Sequence, residues 1–327
     1  MNPRVAPPVR WGILATGHIA ESFADDLRLV PGHSLTAVGS RSLASAQAFA
    51  DNHEDPRAHG SYEELAHDPD VDVVYVATPH GRHVRDVMTC FEAGKAVLCE
   101  KALTMNAADA ALLVGEARRR GLFFAEAMWM RTNPAIRQAR EMVRSGACGT
   151  IGMLHADLGF VAPTGKERLW DPALGASALL DIGIYPLTFA QVMLGEPTSI
   201  SADGTLSGHG IDVAGGATLT YASGAVATIG WSQVAWTSDR ASVAGDAGRI
   251  DVPARFHHPD EFTFAYGESV RTVSAPRTGR GYVHEIEEVG SCLQEGLTES
   301  ELLPLDESVA IMGQLDEILA QIGVAGR

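Results

Sequence analysis

The sequence predicts an α/β protein, with a doubly wound parallel sheet in its first part and mainly antiparallel strands in its second. From Val9 to about Trp129, apolar runs of strand length alternate with stretches of helical periodicity, which is the pattern of a parallel sheet with crossover helices. After Pro134 the pattern changes to short β-rich segments separated by Gly, Asp or Ser. We therefore predict two domains, residues 1–128 and residues 129–327. The last helix of the second domain is predicted to pack back on the first domain.

The first domain is predicted to hold near-continuous apolar strands, because the strands of a parallel sheet are covered on both faces. The predicted strands are residues 11–15, 35–39, 73–77, 96–99 and 122–125. The predicted helices are residues 18–30, 42–53, 62–68, 82–93 and 107–120, and residues 1–8 are predicted to be an unstructured lead-in.

The second domain is predicted to begin with a helix that runs to Ser145, a strand and a further helix. The strand lies near residues 153–160 and the helix near residues 178–193. Short strands then occupy residues 217–221, 225–232, 241–244, 249–252 and 262–266, and two helices at about residues 282–296 and 306–322 close the chain.

The composition argues against a nucleic-acid or membrane partner. The 327 residues include 41 acidic and 25 basic side chains, so the surface is strongly negative and should repel a phosphate backbone or an anionic lipid surface. The sequence predicts no segment with the roughly 18 apolar residues of a membrane span. Four scattered cysteines without a C-x-x-C pair favour reduced, buried thiols and a cytoplasmic protein; they are Cys90, Cys99, Cys148 and Cys292.

The most informative segment is residues 11–20, Trp-Gly-Ile-Leu-Ala-Thr-Gly-His-Ile-Ala. It is typical of a strand that turns through a glycine into a helix, a junction that binds the pyrophosphate of a dinucleotide. The first glycine of the usual G-x-G-x-x-G/A pattern is an alanine here, and small residues also serve ordinary strand-to-helix packing. The predicted cofactor contacts of this turn are Ala15, Thr16, Gly17, His18 and Ile19.

The end of the second strand indicates which dinucleotide binds. NAD-binding folds usually place Asp or Glu about 20 residues after the glycine turn to hold the ribose 2′-hydroxyl. Here the chain reads Ser40-Arg41-Ser42, which suits a 2′-phosphate through charge-assisted hydrogen bonds. NADP(H) is therefore predicted over NAD(H). In the alternative interpretation, Ser40 or Ser42 caps the next helix and Arg41 is a solvated surface charge.

Polar residues come directly after two of the predicted strands, where the reacting groups of open α/β sheets gather. Thr78, Pro79 and His80 come after one strand, with His83 a turn later, and Glu100 and Lys101 come after the next. We predict that all six contribute to the cofactor site and that Lys101 is also catalytic. A lysine at a strand end is also commonly a plain surface charge.

The helix near residues 178–193 carries Asp181 and Tyr185 four residues apart, so both could point into one cleft. An ammonium group beside a phenol lowers the phenol pKa by about 1–3 units, so Lys101 beside Tyr185 would make a usable acid/base pair. Alternatively, Asp181 is a helix-start charge and Tyr185 packs in the core. The spacing alone leaves this choice open.

Together these residues resemble the Gfo/Idh/MocA family (glucose-fructose oxidoreductase, inositol dehydrogenase, rhizopine catabolism). The segments that carry the resemblance span nearly the whole chain: residues 12–20, 77–83, 97–103, 126–131, 180–186 and 281–285. Glu-Ala-Met-Trp-x-Arg, Trp170-Asp171-Pro172 and Asp-Ile-Gly-Ile-Tyr-Pro look most like the branch of trans-dihydrodiol and NADP-dependent D-xylose dehydrogenases.

The resemblance implies a Rossmann domain and then an α/β domain whose open, mainly antiparallel sheet commonly serves as a dimer surface. It places the family's catalytic lysine at Lys101, its substrate-contacting aspartate at Asp181 and the tyrosine of this branch at Tyr185. It also implies cofactor-side roles for His80, His83 and Glu100, and a substrate-pocket aromatic at Trp129; Trp170 is a further substrate candidate. Ala102 replaces the motif's proline, which should loosen the turn at Lys101.

These observations predict a cytoplasmic, NADP(H)-dependent oxidoreductase that interconverts a secondary alcohol or hemiacetal with its ketone or lactone, without a metal. The expected substrate is a sugar or small polyol, of aldose or trans-dihydrodiol type. Two alternatives remain: a nucleotide-dependent glycoside hydrolase of the same fold, and a non-catalytic NADPH-binding sensor, which Ala15 and Ala102 would favour. A homodimer or higher homo-oligomer through the C-terminal sheet is also expected.

Overall fold

The structure is a computed structural model that describes residues 8–324; residues 1–7, which include most of the predicted lead-in, and residues 325–327 lie outside the described range. The chain forms two compact units. The first unit runs to Thr104 and adds Ala108–Trp129 and Thr278–Ser308; the second consists of Met105–Ala107, Met130–Arg277 and a C-terminal segment from Val309. Thr278–Ser308 thus belongs to the first unit, although it lies far beyond residue 128 in the chain.

The first unit contains the predicted doubly wound parallel sheet, in the order β3-β2-β1-β4-β5-β6. Its strands are β1 Val9–Leu14, β2 His33–Gly39, β3 Arg57–His59, β4 Val73–Val76, β5 Ala96–Glu100 and β6 Phe124–Ala127. The strand order reverses between β1 and β4, and in such sheets a ligand binds beyond the carboxyl ends of the strands at this point. The sequence analysis missed β3, a three-residue edge strand.

The second unit contains an eight-stranded sheet in the order β14-β13-β12-β11-β7-β10-β9-β8. Only the pair β7 and β10 is parallel among the pairings of this sheet within residues 8–324; the others are antiparallel. The strands are β7 Ile151–Gly159, β8 Ser199–Leu206, β9 Asp212–Thr220, β10 Val226–Ser232, β11 Ala241–Gly245, β12 Arg249–Val252, β13 Glu261–Tyr266 and β14 Ser269–Ser274. The mainly antiparallel sheet is confirmed, and β8 and β14 are additions to the predicted strands.

The helices occur in the predicted order, with ends that differ by a few residues. They are α1 His18–Leu27, α2 Leu43–Ala50, α3 Tyr62–Ala66, α4 His83–Glu92, α5 Ala107–Arg120, α6 Pro134–Arg144, α7 Ile184–Leu194, α8 Val283–Gln294 and α9 Leu305–Gln321. The segment Pro172–Leu194, which includes α7, is long and apolar enough to cross a membrane, contrary to the expectation from sequence. However, 89% of its most apolar window is buried inside the protein, so α7 is a core helix.

Helices α1 and α8 are joined in the first unit by one buried carboxylate. Asp26, which is only 2% exposed, accepts backbone N–H bonds from Arg280, Gly281 and Tyr282 at 2.8–3.0 Å. These residues form the turn that leads into α8, and Tyr282 is the N-cap residue of that helix. Asp26 therefore links α1 to the turn before α8, across 254 to 256 positions of sequence.

Candidate active site

The turn after β1 places an open helix N-terminus at the switch point of the parallel sheet. Gly17 is the N-cap of α1 and makes no side-chain cap bond, and a Cβ atom added to it would meet nothing within 4 Å. Ala15 has φ +88°, the left-handed region in which glycine is favoured, and its N–H donates to the Gly39 carbonyl at 2.9 Å. The backbone thus keeps the shape of a glycine turn although alanine replaces the first glycine.

The end of β2 carries the residues predicted to select the cofactor. Ser40 is 7% exposed, and its Oγ lies 3.3 Å from Thr16 Oγ1. Ser42 caps α2, since its Oγ accepts the Ser45 N–H at 3.2 Å. Arg41 is exposed and forms no ion pair with any residue in the range 8–324. Ser42 therefore caps α2, and its contact with the cofactor stays a prediction. The Arg41 guanidinium is available to a ligand.

Thr78, which follows β4, carries a hydroxyl group that is unsatisfied within residues 8–324 and suits a bound dinucleotide. Its Oγ1 is buried and has no hydrogen-bond partner among the described residues. Buried hydroxyls are nearly always paired, so an unpaired one at the switch point is an expected contact of a polar ligand. With the open N-terminus at Gly17 and the exposed Arg41, the residues present fit a dinucleotide.

Lys101 begins a turn that the neighbouring side chains hold by its backbone. Glu100 Oε2 accepts the Lys101 N–H at 3.2 Å, and His80 Nε2 lies 3.0 Å from the Lys101 carbonyl oxygen. Two residues on, the Leu103 N–H donates to Glu126 Oε1 at 3.0 Å. The turn is therefore held by directional bonds, although Ala102 replaces the proline of the family motif.

His83 is the central contact of this Lys101 turn. It is fully buried, with Nδ1 3.0 Å from the Ala102 carbonyl oxygen and 3.1 Å from that of Leu103, while Nε2 lies 2.8 Å from the Thr78 carbonyl oxygen. Burial lowers the pKa of His83, and the carbonyl groups act in the opposite direction. Its position connects the ends of β4 and β5; a direct cofactor contact by His80, His83 or Glu100 stays a prediction.

A group of buried acids lies behind the same turn. The Tyr75 hydroxyl donates to Glu100 Oε1, and burial raises the pKa of Tyr75 well above its ordinary value. Glu285, on α8, is fully buried, and neither carboxyl oxygen has a hydrogen-bond partner among residues 8–324. Burial, together with repulsion from Glu100 and Asp26, raises the pKa of Glu285 well above 4.5.

The predicted substrate aromatics lie in different units. Trp129 lies in the first unit, where its ring stacks on Tyr282 with centroids 4.8 Å apart and planes 7° from parallel. Trp170 lies in the second unit; its Nε1 donates to the Pro163 carbonyl at 3.0 Å, and its ring packs against a small apolar cluster that includes Ile211.

Asp181 lies in a π-helical turn, Leu179–Gly183, rather than in the regular helix that the spacing predicts. Such wide turns occur frequently at functional sites. An Asp181 carboxylate oxygen lies 3.3 Å from Arg168 Nη1, and the Asp181 side chain is 14% exposed. The structure thus pairs Asp181 with a cation that the sequence analysis did not consider.

The start of this π turn is held by Asp212, a carboxylate that is fully buried. It accepts the Ser177 hydroxyl at 2.5 Å, the Leu179 N–H at 2.6 Å and the Trp231 indole N–H at 3.2 Å. One side chain on β9 therefore fixes the segment from which Asp181 and Tyr185 project. Asp212 could not be identified from the sequence, because it follows Ile211 at the start of a strand and has no motif around it.

Tyr185 lies in the first turn of α7 and is 6% exposed. The ring of His257 packs against it, with centroids 4.7 Å apart and planes inclined by 37°. Sequence reasoning missed His257, because it lies in a loop between β12 and β13 with no motif around it. The interpretation of Tyr185 as a packed aromatic is correct for its ring; its role in proton transfer stays a prediction.

Comparison with known proteins identifies the family to which this fold belongs. Residues 9–127 match the oxidoreductase family with an NAD-binding Rossmann fold, and residues 136–251 match the Gfo/Idh/MocA C-terminal domain. The chain belongs to the Gfo/Idh/MocA family. It is 38% identical to trans-1,2-dihydrobenzene-1,2-diol dehydrogenase of Bos taurus and 36% identical to that of Homo sapiens, with 97% of each chain covered in both cases.

Solved structures give the same fold at lower identity. An aldose-aldose oxidoreductase from Caulobacter crescentus, complexed with glycerol, has a TM-score of 0.89 at 22% identity over 96% of this chain and 97% of that chain. A 3-ketoreductase from Actinomadura kijaniata, complexed with NADP and TDP-benzene, has a TM-score of 0.88 at 24% identity over 96% and 98%. The predicted family, its dihydrodiol dehydrogenase branch and the two-part fold are confirmed, so this protein is an oxidoreductase with an NAD(P)-binding Rossmann domain.

Proposed function

We propose that this oxidoreductase uses NADP(H) and acts on a secondary alcohol or hemiacetal carbon of a sugar or small polyol, of aldose or trans-dihydrodiol type. The observation that carries the proposal is the Lys101 turn, which four side chains hold at the carboxyl edge of the Rossmann sheet. The names of the relatives, dihydrodiol dehydrogenases at up to 38% identity, support an activity on CH–OH groups.

In the proposed reaction Tyr185 takes the hydroxyl proton of the substrate, and Lys101 favours the phenolate form of Tyr185. Asp181 accepts a hydrogen bond from a second substrate hydroxyl and so orients the ring, while Trp129 and Trp170 contribute apolar surface. When bound, the nicotinamide would accept hydride from the substrate or donate it. The Thr78 hydroxyl and the N–H groups at Gly17 bind and orient the dinucleotide.

The test is reduction of NADP⁺ across aldoses, inositols, anhydrosugars and trans-dihydrodiols, with NAD⁺ in parallel. Lys101→Met and Tyr185→Phe should each lower kcat at least about 100-fold on the best substrate, since general acid–base groups contribute about 10²–10⁴-fold. Tyr185→Phe should keep NADP⁺ affinity within about threefold. Lys101 is also a predicted cofactor contact, so kcat of Lys101→Met is measured at saturating NADP⁺. The exposed residues Lys166 and Tyr266 supply matched controls, Lys166→Met and Tyr266→Phe, which should behave as wild type. Near-full turnover of either active-site variant refutes the roles.

The preference for NADP(H) rests on Arg41. Arg41→Ala should raise KM for NADP⁺ about 10- to 100-fold, as expected for loss of charge-assisted bonds to a phosphate, and leave KM for NAD⁺ within about twofold. Arg137→Ala, at another exposed arginine, is the control. Equal changes with both nucleotides would show that Arg41 is a plain surface charge.

We further propose a cytoplasmic homodimer, or a higher homo-oligomer, that pairs through the C-terminal sheet and has no nucleic-acid or membrane partner. All four cysteines are buried and free, as expected for a reducing compartment. Light scattering of the purified protein tests the assembly; a monomer at micromolar concentration would contradict it.

A further inference from the structure

The ring of Tyr185 is one member of a packed set that joins α7 to the loop after β12. Tyr185 and Phe189 are four residues apart on α7, so they lie one turn apart on the same side of the helix. Phe256 and His257 are consecutive in the loop. The Phe189 and Phe256 centroids are 5.6 Å apart, with planes at 77°, and His257 covers Tyr185 at 4.7 Å.

The Phe189–Phe256 contact anchors the loop, and the anchor determines where His257 lies. Both phenylalanines are fully buried, and the Phe256 N–H donates to the Asp239 carbonyl at 3.1 Å. His257 also contacts the ring of His258, with centroids 4.2 Å apart and planes at 68°. The imidazole of His257 is thus in contact with the rings of Tyr185 and His258, on a loop that Phe256 anchors.

We propose that His257 is a positioning residue for Tyr185: its ring holds the phenol in the orientation that proton transfer requires. The inference rests on the proposed function, because it assigns His257 a role through Tyr185. A phenol hydroxyl lies at the far end of a rigid ring, so a small rotation about the Cα–Cβ bond displaces the oxygen most. A displacement of about 1 Å in a reacting group can cost about 100-fold in rate.

Positioning predicts a different kinetic signature from substrate contact. Loss of the ring should lower kcat and leave KM nearly unchanged, because the substrate still binds but the phenol is misaligned. A ring without imidazole chemistry should restore the rate, since Tyr185 needs the ring contact and not a titrating nitrogen.

The experiment compares three variants on the best substrate with saturating NADP⁺. His257→Ala should lower kcat about 10- to 100-fold with KM within about threefold, and His257→Phe should stay within about threefold of wild-type kcat. His257→Leu keeps apolar bulk without a ring and should resemble His257→Ala, so it replaces His257→Ala if that variant unfolds. His209→Ala, at an exposed histidine, is the control.

A raised KM with unchanged kcat would make His257 a substrate contact, and failure of His257→Phe to recover the rate would show that the imidazole itself is required. Either result overturns the inference. Wild-type kcat in both His257→Ala and His257→Leu also overturns it. In all three cases, a strong loss of kcat in Tyr185→Phe still supports the proposed function. Wild-type turnover in Tyr185→Phe would instead overturn the proposed function, and the inference with it.

Discussion

The Lys101 turn and the Tyr185 helix are fixed in different ways. In the first unit, four side chains (His80, His83, Glu100 and Glu126) contact the backbone of residues 101–103. In the second unit, one carboxylate, Asp212, takes three hydrogen bonds at the start of the helical segment, and aromatic rings pack against the first two turns of α7. The turn can lose one of these contacts and keep three. At the helix start, Asp212 alone among the described residues holds both the Leu179 N–H and the Ser177 hydroxyl, and that hydroxyl in turn accepts the Leu180 N–H at 3.2 Å.

The largest effect is therefore expected at Asp212. Asp212→Ala leaves the Ser177 hydroxyl, the Leu179 N–H and the Trp231 indole without their acceptor inside the protein, and it should lower the free energy of unfolding by about 3 kcal/mol. Urea unfolding measures this. Asp203→Ala, at an exposed aspartate, should change stability by less than about 0.5 kcal/mol. Similar urea midpoints for Asp212→Ala and Asp203→Ala would contradict the importance of Asp212 for the helix start.

A smaller effect is expected when one contact of the Lys101 turn is lost. His83→Phe keeps a buried ring but removes the ring nitrogens that contact three carbonyl groups, so stability should fall by about 2 kcal/mol. Because three other side chains still hold the turn, kcat should fall only about tenfold. Denaturation and steady-state kinetics test this together, with His209→Phe at an exposed site as the control. If His83→Phe lost more stability than Asp212→Ala, the Lys101 turn would depend more on one side chain than the helix start does.

The pH dependence of stability should differ because of Glu285 in the first unit. The folded-state pKa of Glu285 is raised above its ordinary 4.5, so its stabilising contribution is complete at low pH and is lost as the pH rises and the unfolded chain ionises. Glu285→Gln removes this loss. Its stability advantage over wild type should widen as the pH is raised from about 5 to about 7.

Urea titrations at the two pH values test this, with Glu295→Gln on the exposed end of the same helix as the control. A constant difference between Glu285→Gln and wild type would mean that Glu285 is ionised in the folded protein.

The smallest effect should appear at Ala15. Its φ of +88° strains an alanine but suits a glycine, so Ala15→Gly should raise stability by about 0.5–1 kcal/mol, less any entropy that glycine adds to the unfolded chain. The same change at Ala111, an exposed position within α5, should lower stability by about 1 kcal/mol. A thermal melt that moves both variants in one direction would contradict the assigned strain.

The fold could be predicted largely from the sequence, because buried parallel strands read as continuous apolar runs and their crossover helices as regular periodicity. Strands such as β3, which is Arg-Ala-His, carry no such pattern, since their pairing is decided by neighbours. The assignment of Thr278–Ser308 to the first unit was equally hidden. It depends on long-range contacts that no local pattern encodes: Asp26 accepts bonds from residues 280–282, and Val283 and Ile286 of α8 pack in the core of the first unit.

Of the candidate site, the sequence predicted the residues that lie in motifs, including three of the four side chains that hold the Lys101 turn: His80, His83 and Glu100. The roles of Lys101 and Tyr185 stay predictions. Asp212 and His257 carry no motif and act through buried contacts with residues distant in sequence, so only three-dimensional placement could reveal them. For Ser42, the structure shows the helix cap, and the cofactor contact stays a prediction.

The contact between Asp26 and residues 280–282 has a consequence for synthesis. A ribosome that has just finished residue 129 has produced every strand of the Rossmann sheet, but not the turn before α8 whose backbone amides Asp26 binds. Until more than a hundred further residues have emerged, the Asp26 carboxylate lacks these donors and the side of α1 that meets α8 remains exposed to water. Truncating the chain at its apparent domain boundary would therefore yield an incomplete nucleotide-binding unit, in need of a chaperone or of the missing helix added in trans.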